Sequence, residues 1–134
     1  MHFFKITVLL FILFLTSCPY AIGSVGTGDD KDINYEMHYP LVYTQDAIAQ
    51  KKINTNLYQY IEGFRRDYRN GKFINGKFTY TVSYEDDTYI SLILNDYRWT
   101  GGAHGHTFYI GLVYNKHNGE NLPLRYFVHL SDAD

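Results

Sequence analysis

The side chains best suited to chemistry gather in one short stretch, residues 97–106, which reads YRWTGGAHGH. His104 and His106 are two positions apart, and side chains at that spacing on a strand project to the same face. Two imidazoles on one face could bind a divalent metal ion together with a third ligand. Tyr97 and Trp99 could instead stack on a sugar or anchor a partner protein. The stretch therefore predicts either a metal site or an aromatic binding site.

The metal hypothesis lacks a third ligand at a recognisable spacing. Asp96 is the nearest carboxylate and would complete a metal-dependent hydrolase that uses His104 and His106. No nucleophile motif of the G-x-S-x-G type and no histidine–glutamate helix motif is present. The carboxylate pairs at 29–30 and 86–87 have the composition of solvated turns. We therefore expect no catalytic residue, no bound metal and no cofactor, with the hydrolase as the alternative.

The glycines of residues 100–105 predict a tight loop. No Lys-Ser/Thr pair and no helix follow them, so a phosphate-binding loop is excluded. Glycine at such positions indicates positive φ or a close approach to another surface. Instead of contacting a ligand, Trp99 could equally well cover the hydrophobic end of the sheet. The candidate ligand-binding residues are Tyr97, Trp99, Thr100, Gly101, Gly102, Ala103, His104, Gly105 and His106.

Composition excludes several classes of protein. The chain has 134 residues, 46% of them apolar and 18% aromatic, which is too many for intrinsic disorder and fits one domain. A net charge of −2 gives no electrostatic reason to bind nucleic acid. The single cysteine excludes an internal disulfide and a zinc site with two thiolate ligands.

Residues 1–23 have the layout of a secretory signal peptide, with Lys5 before an apolar run that is shorter than the ~20 residues of a membrane span. Residues 15–18 (LTSC) resemble a bacterial lipobox, in which Cys18 would carry the lipid. The alternative is ordinary cleavage shortly after Cys18. We expect an exported protein of the cell envelope that is either lipid-anchored to a membrane or secreted or periplasmic. Residues 24–32 (SVGTGDDKD) would be a flexible tether.

Hydrophobic periodicity predicts a β-α-β-β-β domain over residues 33–134. Alternation at 33–39 indicates a strand, and apolar residues at steps of three and four indicate a helix over 46–70. Alternation then returns at 77–84, 89–99 and 108–114, and residues 122–124 begin a further short strand after the Asn118-Gly119 turn. The predicted fold class is α+β, with one long helix packed on an antiparallel β-meander.

The string Thr100-Gly101-Gly102-Ala103-His104-Gly105, with the strand before it, resembles a bacterial extracytoplasmic family. Its members include the non-catalytic N-terminal region of PdaC-like cell-wall polysaccharide deacetylases and the sensor region of RsiV-like anti-sigma factors that respond to lysozyme. The resemblance covers about residues 33–124. It implies an α+β recognition module whose ligand is a cell-wall glycan or a lysozyme-like protein. Trp99 stands where the family usually has tyrosine.

The resemblance does not carry an activity with it. The deacetylase catalytic domain and the intracellular part of an anti-sigma factor have no counterpart in this sequence, and family members continue further after the equivalent of residues 122–124. We therefore expect a shortened, non-enzymatic binding or sensor module of the cell envelope. A remnant without independent function is the remaining alternative.

Overall fold

The computed structural model describes residues 24–127 as one five-stranded sheet with a helix on one face. The strands lie side by side in chain order, and neighbours are antiparallel except for the parallel pair β2 and β3. A parallel pair needs a crossover, and the helix between the two strands provides it. The elements are β1 (Val25–Asp32), β2 (Tyr35–Val42), α1 (Ala47–Arg69), β3 (Asn75–Glu85), β4 (Tyr89–Trp99), β5 (His106–Asn115) and a short 3-10 helix (Leu124–Tyr126). The α+β prediction is confirmed.

The helix lies where periodicity placed it. Asp46 caps its start by accepting a hydrogen bond from the backbone N–H of Ala49 at 2.7 Å. Gly71, with φ of +71°, follows its end, as glycine commonly does after a helix. The side chains buried against the sheet recur at steps of three and four: Ala49, Ile53, Leu57, Ile61 and Phe64. The amphipathic stripe is therefore what attaches α1 to the sheet.

The core lies between α1 and one face of the sheet. Ile90, Leu92 and Leu94 of β4 are fully buried there, as their alternation predicts. Tyr114 of β5 is also buried, and its hydroxyl lies 2.6 Å from Oδ1 of Asn56 on α1. Burial is the main cause that raises the pKa of the Tyr114 phenol. The hydrogen bond satisfies a polar group that would otherwise be costly to bury.

The predicted tether is wrong, because residues 25–32 form strand β1. This strand pairs along its whole length with β2. Ile33 lies in the turn between the two strands and is 93% exposed. Asp30 is not a turn residue either, since its Oδ2 lies 2.5 Å from Nε of Arg65 on α1. Glycines and charges hide this strand from a periodicity search, because an edge strand gains its stability from backbone pairing rather than from apolar side chains.

Two further boundaries differ from the predictions. The first predicted strand starts later, at Tyr35, and runs through Pro40 to Val42. Residues 122–124 do not form a strand, because only Asn121 makes a bridge to Tyr114 before the chain enters the 3-10 helix. The predicted leader, with Cys18, and residues 128–134 lie outside the described residues. Among residues 24–127, no helix is both long enough and apolar enough to cross a membrane.

Candidate functional site

The sheet has a second face, opposite α1, which α1 does not cover. We call it the open face. Within residues 24–127 the segment after the 3-10 helix reaches one end of this face, where the Phe127 ring centroid lies 5.8 Å from that of Tyr89. Because Leu92 and Leu94 point toward α1, alternation along β4 directs Ile93, Asn95 and Tyr97 to the open face. Strand register then identifies their neighbours on β3 and β5. The resulting group, which we call the tyrosine patch, consists of Lys77, Thr79, Asn95, Tyr97, Thr107 and Tyr109.

Two exposed aromatic rings dominate the tyrosine patch. Tyr97 is 38% exposed and Tyr109 is 74% exposed. Tyr109 lies directly opposite Asn95, so the two tyrosines are diagonal neighbours on adjacent strands. Diagonal neighbours lie about 7–8 Å apart, which is within reach of aromatic side chains. Between them Asn95 donates a hydrogen bond from Nδ2 to the hydroxyl of Thr79 at 3.3 Å. Flat aromatic surfaces thus adjoin an amide and hydroxyl groups.

The glycine-rich loop closes against the ring of Tyr97. A Cβ atom added at Gly105 would lie 2.4 Å from three atoms of that phenol, so any larger residue at this position would displace the ring. Gly101 has φ of +102°, in the region that favours glycine. Both uses of glycine agree with the sequence prediction of close approach and positive φ. The loop therefore forms one border of the tyrosine patch.

Trp99 holds this loop in place. Its indole N–H donates to the carbonyl oxygen of Gly102 at 2.7 Å, and its own carbonyl accepts from the backbone N–H of Ile74 at 2.7 Å. The ring is half-buried. Because its only side-chain donor is already engaged, Trp99 supports the loop, while Tyr97 offers the accessible ring.

The histidine pair does not converge on a metal site with Asp96. His104 lies in the exposed loop, and His106 begins β5 opposite Arg98, on the α1 side of the sheet. Asp96 is only 5% exposed, and both of its oxygens accept hydrogen bonds from Arg98, each at 2.7 Å. No group of three or more His, Cys, Asp or Glu side chains in residues 24–127 is arranged to hold a metal ion. Thr100 and Ala103 are exposed in the loop.

Arg98 is a structural residue that the sequence analysis missed. Besides Asp96, it donates from Nη1 to Oδ2 of Asp67 on α1 at 2.8 Å, and Lys72 Nζ lies 2.8 Å from the other oxygen of Asp67. Hydrogen bonds from Lys72 and Arg98 lower the pKa of Asp67. The signal was present, since Asp96 and Arg98 continue the buried row of β4, where charged side chains need partners. This network attaches α1 to the end of β4 that carries Tyr97.

A charged cluster occupies the other end of the open face, on β1 and β2. His38 Nδ1 lies 2.5 Å from Oδ1 of Asp29, and Nε2 lies 3.1 Å from Oε1 of Glu36. Both contacts raise the pKa of His38 above its usual value of 6.5, and the contact with Asp29 contributes more than the contact with Glu36. A raised pKa means that the protonated imidazole stabilises the folded state at low pH, and that this stabilisation disappears as pH rises through the folded-state pKa.

We expect an NMR titration of the His38 ring protons to give a midpoint above 6.5, and the Asp29→Asn variant to lower it. Asp32→Asn is the matched control, because Asp32 is also on β1 but accepts its hydrogen bond from the backbone N–H of Ile33. An equal shift in both variants would contradict a specific pairing of His38 with Asp29.

These features together define a small α+β domain with one buried sheet face and one open face that carries exposed tyrosines. A family model described as Deacetylase PdaC matches residues 27–107, which is more than half of the chain. The chain therefore belongs to this deacetylase-related family, as the resemblance predicted. The match begins within β1 and so supports the assignment of that strand to the domain. A search of curated proteins gives no match.

Proposed function

We propose that this chain is a non-enzymatic binding module of the cell envelope and that its tyrosine patch recognises a peptidoglycan-related glycan. The observation that carries this proposal is the exposure of Tyr97 and Tyr109 beside Asn95 on the open face. Aromatic rings pack against the apolar face of a sugar, and neighbouring amides and hydroxyls satisfy the polar groups of the sugar. Membership of a deacetylase-related family supports a cell-wall ligand.

Charge at the border of the patch favours a ligand with a carboxylate. Lys77 is the direct cross-strand neighbour of Tyr97, and its Nζ lies 3.9 Å from Oε2 of Glu36. This long contact between exposed groups costs little to give up. The ammonium group can therefore turn toward a carboxylate of a ligand that rests on the Tyr97 ring. Peptidoglycan fragments combine sugar rings with carboxylate groups.

The alternatives have less structural support. A hydrolase would need Asp96 as a metal ligand, but Arg98 holds both oxygens of that side chain. A lysozyme-like protein is the other partner that the family resemblance implies, and it enters the experiment below as a second probe. Export and lipid attachment at Cys18 are part of the proposal, because a peptidoglycan-binding module has to reach the cell wall.

The test compares binding of soluble peptidoglycan fragments by the wild-type chain and by Tyr97→Ala. We expect the substitution to weaken binding by about tenfold, because an aromatic ring at the centre of a contact carries much of the binding energy. Tyr58→Ala is the matched control, since it removes an exposed tyrosine from α1 rather than from the open face. Circular dichroism confirms that both variants are folded.

The protein for this test is the chain as a bacterial host processes it, and its intact mass shows whether Cys18 carries a lipid. Binding to lysozyme but not to peptidoglycan fragments would replace the glycan with a protein ligand. The proposal fails if neither probe binds at tens of micromolar. It also fails if Tyr97→Ala and Tyr58→Ala weaken binding to the same extent.

A further inference from the structure

The two edge strands of the described sheet differ sharply in charge. β1 carries four consecutive charged residues, 29–32, whereas residues 107–114 of β5 (TFYIGLVY) carry none. Charged side chains on an edge strand oppose pairing with another chain, and their absence permits it. The uncharged stretch also exposes large aromatic side chains, with Phe108 55% exposed and Tyr109 74% exposed. The β5 edge therefore lacks the protection that β1 has.

The backbone of β5 directs unpaired polar groups outward at this edge. Farther along the strand, the carbonyl of Val113 accepts from the N–H of Leu122, and the N–H of Asn115 donates to the carbonyl of Glu120. Because backbone groups alternate in direction along a strand, odd-numbered residues of β5 point away from β4. Thr107, Tyr109 and Gly111 thus present their N–H and C=O groups outward, and no backbone group of residues 24–127 pairs with them on that side.

We propose that this edge pairs with the same edge of a second copy of the chain, antiparallel, about a two-fold axis at Tyr109. Tyr109 then lies opposite Tyr109 of the second copy, and Thr107 lies opposite Gly111 of the second copy. Each of these pairs can exchange two backbone hydrogen bonds. The inference does not depend on the proposed glycan ligand.

The stretch is complementary to itself, which favours a second copy as the occupant. In this register Phe108 lies opposite Ile110 of the second copy on the α1 side, so apolar side chains meet apolar side chains. No like charges face each other, and a net charge of −2 causes little long-range repulsion. The space beside Gly111, where an added Cβ would meet nothing within 4 Å, accommodates the side chain of Thr107.

Both ends of the paired stretch are defined by the fold. At one end, the loop that connects β4 to β5 joins the edge strand only at His106, so the edge begins at that residue. After Gly111 the segment at Asn121 and Leu122 occupies the edge. A five-residue pairing, 107–111, therefore fits without displacing any described element. Such pairing joins the open faces of the two copies into one continuous surface.

Sedimentation of the full chain in mild detergent tests the association. We expect a dimer for the wild type and at least a roughly tenfold larger dimer dissociation constant for Tyr109→Glu, since two carboxylates would meet at the axis. Tyr58→Glu adds the same charge at an exposed tyrosine of α1 and should leave the dimer intact. A monomeric wild type, as expected if another segment of the chain covers this edge, overturns the proposal, as does equal weakening by both variants.

Cysteine cross-linking tests the register independently of affinity. In a full chain that carries Cys18→Ser, Tyr109→Cys places two thiols at the axis, where facing Cα atoms about 5.5 Å apart permit a disulfide. Thr107→Cys is the matched control, because its two copies would lie about 14 Å apart along the strand. We expect an intermolecular disulfide for Tyr109→Cys only. Equal cross-linking by both variants, or none by either, contradicts the proposed register.

Discussion

Replacing Arg98 with alanine is expected to lower the free energy of unfolding by about 3–5 kcal/mol. The guanidinium donates to both oxygens of Asp96 and to one oxygen of Asp67. Asp96 is 5% exposed, so the substitution leaves a nearly buried carboxylate without its partner. The side chain also packs on the aromatic core, with its guanidinium carbon 5.1 Å from the ring centroid of Phe73. Lost charge pairing and lost packing act in the same direction.

Urea unfolding at pH 7, followed by circular dichroism, measures this effect. Arg69→Ala is the control, because Arg69 also pairs with a carboxylate, that of Glu62, but lies exposed at the end of α1. We expect a much smaller loss for that exposed pair. The double variant Asp96→Asn/Arg98→Ala should be more stable than Arg98→Ala alone, since it removes the isolated charge. Equal losses for Arg98→Ala and Arg69→Ala would contradict the assigned role of Arg98.

Gly119→Ala is expected to cost about 2–5 kcal/mol, for two separate reasons. The residue has φ of +74°, a conformation that costs an L side chain about 1–2 kcal/mol. An added Cβ would also lie 2.7 Å from the carbonyl oxygen and 2.9 Å from the Cα of Ala49 on α1. These are backbone atoms that cannot move without shifting the helix, and overpacking of this kind costs about 1–3 kcal/mol.

Two other glycines of the chain separate these contributions. Gly71 has φ of +71° but nothing within 4 Å of an added Cβ, so Gly71→Ala should show only the conformational cost. Gly102 has neither restriction, and Gly102→Ala should change stability by no more than about 0.5 kcal/mol. Thermal and urea unfolding should show the largest loss of stability for Gly119→Ala, a smaller loss for Gly71→Ala and the smallest for Gly102→Ala. A Gly119→Ala variant no less stable than Gly71→Ala would show that the hairpin does not press against α1.

The same turn shows how far local sequence reasoning extends. Asn118-Gly119 is a recognisable turn, because glycine at positive φ is a property of the residue and its neighbours. Its contact with Ala49 is not recognisable, because the two residues are 70 positions apart and meet only in the folded chain. The loop at residues 100–105 is similar: its glycines predict close approach, but the ring that they approach, Tyr97, is identified only by the structure.

Strand β1 was missed for a related reason. An edge strand that gains most of its stability from backbone pairing with β2 needs no apolar alternation, so its sequence resembles a polar linker. Helix α1 and strand β4 were found because burial of one side imposes a period on their side chains. Ligand binding by the candidate residues in 97–106 stays a prediction. Their roles differ, since Trp99 holds the loop through Gly102 whereas Tyr97 is accessible.

The sequence by itself determined the elements whose side chains follow a period, their order along the chain and the α+β class. Only the tertiary structure decided which tyrosines are available to a ligand. Tyr109 and Tyr114 belong to the same strand, yet the first is 74% exposed and the second is fully buried with its hydroxyl on Asn56. Tyrosine has an apolar ring and a polar tip, so either environment suits it. The choice depends on which face of β5 lies under α1, and that is set by contacts between residues far apart in the chain.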